Sequence, residues 1–123
     1  MVRTKAGRIT QRNLPSDVKA AVKAGQAKQG EKICVMDLRD TATFTEFFIV
    51  MHGRSSRQNV ALYENIEREL KAKRLKPLGV EGAGHGEWIL MDYGWFIVHI
   101  FSPLARDYYS LEKLWGDAPR LFV

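Results

Sequence analysis

A Gly-x-Ser-Ser turn is the strongest candidate for enzymatic chemistry in this sequence. Gly53, Ser55 and Ser56 stand between an apolar run and a helical pattern. A glycine at this point lets a phosphate approach the unpaired N–H groups of the helix N-terminus, as in nucleotidyltransferases. Such enzymes also need paired carboxylates to hold divalent metal ions. The acid-x-acid pair of this chain, Glu67 and Glu69, lies mid-helix, where positions two apart point about 200° away from each other and cannot share a metal. A metal-dependent nucleotidyltransferase is therefore kept as an alternative hypothesis.

The histidines and the cysteine show no spacing typical of a metal site or a nucleophile. His52, His85 and His99 are far apart, and Cys34 is the one cysteine, so no intrachain disulfide can form. His99 interrupts an apolar run and is predicted to be a core histidine, whereas His85 lies in a glycine-rich turn and is expected to be solvated. Cys34 is predicted to be a buried structural thiol. We expect no catalytic residue, no metal and no cofactor.

The net charge of +5 is concentrated at the N-terminus. Residues 1–32 hold eight basic and two acidic side chains, while the remaining residues hold 11 basic and 12 acidic ones. Residues 1–14 lack apolar periodicity and are predicted to be a flexible basic arm, followed by a folded domain over residues 15–123. The arm could contact rRNA weakly. The alternatives are a solvated tail and a mitochondrial presequence.

The hydrophobic pattern behind the arm predicts one α/β domain. Helices are predicted over about 17–29, capped by Ser16, from the Gly-Ser turn to about 75, and from Pro103 to Gly116. Strands are predicted over about 33–38, 47–51, 78–81, 88–93 and 95–101, the last two as an antiparallel hairpin. This order predicts a mixed sheet of about five strands with helices packed on it, and the run over 95–101 is expected to be central. No apolar run is long enough to span a membrane and no secretory signal is present, so we expect a cytoplasmic protein.

Aromatic and acidic residues near the C-terminal end indicate a protein-binding surface. Trp88, Leu90 and Asp92 share one face of a predicted strand. Trp and Tyr are enriched at protein interfaces, and carboxylates such as Glu81 and Asp92 can pair with a basic partner. The alternative is that these residues form the core of a small domain, and for Tyr108 and Leu111 core and interface are equally compatible with the pattern.

Seven stretches of the chain, in order, resemble the ribosomal silencing factor family, also called RsfS or Iojap. They cover residues 35–38, 45–50, 53–58, 77–82, 88–94, 98–101 and 109–118. The resemblance implies a nucleotidyltransferase-like fold without catalytic activity. It implies binding to the large ribosomal subunit through its fourteenth ribosomal protein, a block of subunit joining, and repression of translation under nutrient limitation. A homodimer of the free protein is also implied.

The resemblance assigns partner-binding residues as well. Carried over by position, they are Glu81, Trp88, Asp92, Tyr93, His99, Tyr109, Leu111 and Trp115. Trp88 is expected to be the apolar anchor, and Glu81 and Asp92 are expected to pair with basic side chains. Two residues depart from the family pattern: Trp95 and Glu46 each stand where aspartate is usual. The change at Trp95 is expected to weaken the acidic character of the surface and to enlarge a self-association surface.

Overall fold

A mixed β-sheet organises the computed structural model, which describes residues 9–41 and 44–123. The elements of this part of the chain are α1 (Ser16–Ala27), β1 (Glu31–Asp37), β2 (Phe47–His52), α2 (Ser56–Ala72), β3 (Gly79–Glu81), β4 (Trp88–Asp92), β5 (Phe96–Phe101), α3 (Pro103–Tyr109), α4 (Leu111–Leu114) and β6 (Arg120–Phe122). The strands lie in the order β3-β4-β5-β2-β1-β6. The predicted α/β class is thereby confirmed, with one more strand than expected.

Strand pairing places β5 in the interior of the sheet. It is antiparallel to β4, as the predicted hairpin requires, and parallel to β2. All six residues of β5 are buried, which confirms the central position predicted from its apolar pattern. The extra strand is β6, which pairs with β1 at the far edge. Its three residues are too few to show a periodic pattern, and only the pairing with β1 makes them a strand.

One face of the sheet is covered by α1 and α2. A row of apolar residues crosses all six strands on this face: Val80, Met91, Val98, Ile49, Val35 and Leu121. Helix α2 packs on the row through Leu62, Ile66 and Leu70, which are fully buried. Val60 and Tyr63 of the same helix are only partly buried.

The opposite face is only partly covered. A second row of paired residues crosses it: Glu81, Leu90, His99, Val50, Cys34 and Phe122. The short helices α3 and α4 lie over this face, but α3 buries no side chain and α4 buries only Leu111. The β3–β4 end of the face therefore stays open, with Trp88 and Leu90 only half-buried.

Three local predictions were wrong or lie outside the described residues. The final helix is two helices, because Ser110 takes a left-handed conformation (φ 49°, ψ 55°) and its N–H donates to the carbonyl of Arg106, which ends α3. Ser16 is not the cap of α1, since Pro15 occupies that position and no side chain caps the helix. Residues 1–8 of the predicted arm lie outside the described residues, and Leu14, which was assigned to the arm, is buried in the core.

Within residues 9–41 and 44–123, no helix combines the length and the apolar character needed to cross a membrane.

Candidate partner-binding surface

The open end of the sheet forms a pocket of about 370 Å³ between β3, β4 and α3. We call it the Trp88 pocket; its lining is Glu81, Gly82, His85, Glu87, Trp88, Leu90, Ala105 and Tyr109. Four apolar or aromatic side chains from β4 and α3, Trp88, Leu90, Ala105 and Tyr109, form its apolar part. Two carboxylates and one imidazole add polar groups. Such a combination can take an aliphatic or aromatic anchor next to a cationic side chain.

Trp88 is held in place by His99 and by neighbouring aromatic rings tilted against it. Its indole Nε1 donates a hydrogen bond to His99 Nδ1 at 3.0 Å. Its ring centroid lies 4.5 Å from that of Tyr109 and 4.9 Å from that of Phe101. Burial lowers the pKa of His99 to about 3, so the imidazole is neutral and its Nδ1 can accept. Trp88 thus presents a fixed aromatic surface rather than a mobile side chain.

A glycine loop sets the backbone that enters β4. Gly82 has φ +83°, and a Cβ there would lie 1.9 Å from the carbonyl oxygen of Trp88. Gly86 has φ +75°, and its Cβ would lie 2.9 Å from Ser56. Asn59 of α2 locks the loop, since its Nδ2 donates to the Gly86 carbonyl at 2.7 Å and its Oδ1 accepts from Gly53 N–H at 2.9 Å. The position of Trp88 therefore depends on the start of α2.

The same contacts occupy the Gly-Ser turn that suggested phosphate chemistry. Ser55 caps α2, and its Oγ accepts from the Gln58 N–H at 3.1 Å. Gly86 packs directly on Ser56, and the N–H groups of Gly53 and Arg54 are already bonded to Asn59 Oδ1 and Gln58 Oε1. Among the described residues, no group of three or more His, Cys, Asp or Glu side chains could hold a metal ion. The donor set for two-metal phosphoryl transfer is not assembled in that part of the chain.

The carboxylates of the surface have different surroundings. Glu81 is exposed at the rim of the pocket. Glu87, which the sequence analysis did not select, accepts a hydrogen bond from Ser102 Oγ at 2.8 Å, and Ser102 in turn caps α3. Asp92 is half-buried and accepts from Gly94 N–H at 2.8 Å, so it closes the β4–β5 turn. Glu87 directly precedes Trp88 in the chain, and this adjacency is the one sequence signal that indicates it.

The remaining predicted site residues are dispersed. Tyr93 is buried on the other face, stacked on Phe96 at 4.9 Å. Leu111 is buried beneath α4. Trp115 lies on the open side, edge-on to Phe48 at 6.2 Å. The structure brings together Glu81, Trp88 and Tyr109, with His99 behind them.

Trp95 lies away from the Trp88 pocket. It packs against the α1–α2 side of the sheet, with its ring 6.3 Å from that of Phe47. The expectation that it alters the acidic surface around Trp88 is therefore not supported by its placement.

A charged cluster attaches α3 and α4 to the sheet. Arg106 donates to Glu112 Oε2 through Nε at 3.0 Å, to the carbonyl of Glu31 at 3.3 Å and to His52 Nδ1 at 3.0 Å. Burial and the nearby Arg106 charge lower the pKa of His52, which favours the neutral ring that can accept from Arg106. Cys34 lies buried nearby, as predicted, and burial raises the pKa of its thiol to about 11. This thiol is protonated at neutral pH and unsuited to nucleophilic chemistry.

Comparison with known proteins agrees with this architecture. Residues 11–122 match the family model described as "Ribosomal silencing factor during starvation". The chain belongs to the ribosomal silencing factor family. The ribosomal silencing factor RsfS of Bacillus subtilis is 35% identical over 107 residues, covering 87% of this chain and 91% of that one. RsfS of Chromobacterium violaceum is 37% identical over 105 residues, with 85% and 86% covered. A crystal structure of a C. violaceum protein superposes with a TM-score of 0.80 at 36% identity, covering 82% and 84% of the two chains.

Proposed function

We propose that this ribosomal silencing factor binds the large ribosomal subunit through the Trp88 pocket and represses translation by occlusion, without catalysis. Its partner there would be the fourteenth large-subunit ribosomal protein. A domain bound at that place blocks joining of the small subunit, and the effect is used under nutrient limitation. The protein then acts where ribosomes are, which in a bacterial cell is the cytoplasm. Family membership over residues 11–122 supports the silencing role.

The Trp88 pocket is the observation that carries the proposal. A preformed aromatic anchor loses little conformational entropy on binding, and fully desolvated aromatic residues dominate many interfaces. Ribosomal proteins are rich in basic side chains, which the carboxylates of Glu81 and Glu87 complement. Leu90 and Tyr109 complete the apolar contact area. His99 acts through Trp88 as a positioning residue.

The other predicted residues have smaller roles in this proposal. Asp92 and Trp115 extend the surface on the same side of the sheet. Tyr93 and Leu111 support the core and do not touch the partner. The exposed apolar side chains of α3 and α4, such as Leu104, Tyr108 and Leu114, support the predicted homodimer, which analytical ultracentrifugation of the free protein would detect.

Co-sedimentation with purified large subunits tests the proposal. At low micromolar concentration the protein should move into the gradient with the subunits, and added small subunits should fail to join them. Trp88→Ala should weaken binding by about thirtyfold, since a hot-spot residue contributes about 2 kcal/mol. Phe122→Ala is the matched control, because it removes an exposed ring roughly 19 Å away at the opposite edge of the sheet.

Charge reversal tests the acidic rim. Glu81→Lys should weaken binding to the subunit, whereas Glu64→Lys on the exposed side of α2 should not. The proposal fails if the unaltered protein stays at the top of the gradient. The assignment of the Trp88 pocket fails if Trp88→Ala and Phe122→Ala sediment alike.

A further inference from the structure

A basic groove runs between α1 and α2, on the side of the sheet opposite the Trp88 pocket. Its cavity volume is about 570 Å³. Four cations line it against one carboxylate, Glu69: Lys23 on α1, Lys28 directly after α1, Arg68 on α2 and Lys73 directly after α2. Alanines from both helices form much of the remaining lining. The groove therefore offers positive charge with no large apolar anchor.

The walls of the groove are held at a fixed separation. Asn65 of α2 is buried and its Nδ2 donates to the carbonyl of Ala24 of α1 at 2.9 Å. Arg68 donates to the Oδ1 of the same Asn65, which orients its guanidinium along the groove wall. Gln58 Nε2 also donates to the Lys28 carbonyl at 3.1 Å. The start of α2 therefore lies beside the end of α1, so the two helices are antiparallel.

The antiparallel arrangement spreads the cations along the groove. Lys28 follows the C-terminus of α1 and Lys73 follows that of α2, so the two lie toward opposite ends. Lys23 and Arg68 lie between them. At 1.5 Å per residue, the α1 segment over 20–28 is about 12 Å long. A row of cations over this length matches several successive phosphates of a nucleic-acid strand rather than one small anion.

Like charges on facing helices repel each other, and the single carboxylate in the groove cannot balance four cations. A bound polyanion would relieve this repulsion. The basic character continues beyond the groove, since Lys19 lies one turn before Lys23 and its Nζ donates to the carbonyl of Arg12. Protein partners are bound mainly through large apolar and aromatic anchors, which this groove does not have, whereas phosphate contacts need only cations.

We propose that the α1–α2 groove binds the phosphodiester backbone of RNA. This goes beyond the proposed subunit contact, because the groove and the Trp88 pocket lie on opposite faces of the sheet and can be occupied together. It also differs from the predicted contact by the N-terminal arm, since it assigns the binding to the folded helices. Recognition would be independent of sequence, because the groove offers charges and no base-reading pattern.

Fluorescence anisotropy with the full chain and a labelled 20-nucleotide oligouridine tests the groove. The groove variant is Lys23→Ala, Lys28→Ala and Lys73→Ala together. The matched control, Lys71→Ala, Lys76→Ala and Lys113→Ala together, removes the same charge from exposed positions that do not line the groove. The groove variant should bind at least tenfold more weakly than the control. For this variant the slope of log K against log salt concentration should be less negative by about 2, since each lost phosphate contact reduces the slope by roughly 0.7.

Three results would overturn the proposal. Equal weakening in both variants would mean that only net charge matters. If the groove variant binds RNA as tightly as the unaltered protein, the RNA is bound by residues 1–8 or by another surface. If polyglutamate displaces the labelled oligouridine as well as unlabelled RNA of equal charge does, the groove binds acidic polypeptides instead. If the alanine variant melts at a lower temperature, the corresponding three Lys→Gln changes keep the side-chain stems and give the same comparison. Because no ribosome is present, failure here leaves the co-sedimentation result untouched.

Discussion

The hydrogen bond from the Trp88 indole determines the protonation state of the His99 Nδ1 atom. Indole Nε1–H can only donate, so the Nδ1 of His99 must be unprotonated for the 3.0 Å bond to exist. The ring of His99 is 3% exposed, and its Nε2 has no hydrogen-bond partner in the described residues. A charged imidazole at this place would be costly, which is why burial lowers its pKa to about 3. The hydrogen bond that holds the Trp88 ring therefore depends on His99 staying unprotonated at Nδ1.

Acid should destabilise the protein through His99. In the unfolded chain the ring protonates near pH 6.5, whereas the folded chain resists protonation down to about pH 3. The unfolded state therefore binds more protons in this window, and the free energy of unfolding falls as the pH falls, by up to about 1.4 kcal/mol per pH unit.

His99→Gln isolates this effect, since glutamine does not titrate but can still accept from Trp88. The free energy of unfolding of both proteins is measured in urea at pH 6.5 and at pH 4.5. Between these two pH values the unaltered protein should lose about 2 kcal/mol more than the variant loses. The carboxylates and His52 are the same in both proteins and cancel. A difference that does not change with pH would contradict the burial of a neutral His99.

Helix α3 is positioned by polar contacts rather than by a packed apolar face. None of its side chains is buried, yet it carries Tyr109 to the Trp88 ring. Ser102 caps its start and Ser110 in the left-handed conformation ends it. Between them, Arg106 reaches Glu112 on α4 and the backbone of Glu31 on β1, with side-chain exposures of 11% and 20% for the Arg106–Glu112 pair. A largely buried ion pair of this kind is costly to break by removing one partner.

Arg106→Met should loosen α3 and α4 while leaving the rest of the fold in place. The change keeps an unbranched apolar stem but leaves the Glu112 carboxylate unpaired, at a cost of about 2 kcal/mol or more. Hydrogen–deuterium exchange over residues 103–115 should speed up by about thirtyfold, with α2 unchanged. Arg57→Met, at an exposed position in the first turn of α2, is the control. Equal protection of residues 103–115 in both variants would show that Arg106 does not hold these helices.

The sheet separates two surfaces of different character, one aromatic and acidic and the other basic. Apolar rings and carboxylates lie at the open β3–β4 end, and cations line the α1–α2 groove behind it. The glycine loop over 82–86 connects the two halves, because it shapes the entry to Trp88 and also packs on the start of α2. In the Gly-Ser turn itself, the N–H groups of Gly53, Arg54 and Gln58 already donate to side chains, which leaves fewer N–H donors for a phosphate at this helix N-terminus.

Nucleotides should therefore not bind. Adding 1 mM ATP with magnesium should leave the melting temperature unchanged and release no pyrophosphate above a heat-denatured control. A ligand present at a hundredfold its Kd would stabilise the fold by about 2.7 kcal/mol, which is a shift of several degrees. Such a shift, or measurable pyrophosphate release, would restore the transferase hypothesis.

Local patterns in the sequence were sufficient for much of the fold and for the centre of the candidate site. The start of α2 at the Gly-Ser turn, the central apolar strand and the β4–β5 hairpin follow from neighbouring residues. Trp88 and Glu81 were also selected from local pattern and family resemblance.

Tertiary contacts decided the remainder. Strand β6 exists only through its pairing with β1, and the break at Ser110 occurs where Arg106 is drawn toward Glu112 and the β1 backbone. Tyr93, Asp92 and Leu111 match the family motifs as well as Trp88 does, but packing directs Tyr93 and Leu111 into the core and Asp92 into a turn. The physical reason is that periodicity records which side of an element a residue faces. Whether that side is then covered, open or charged depends on which distant element packs against it.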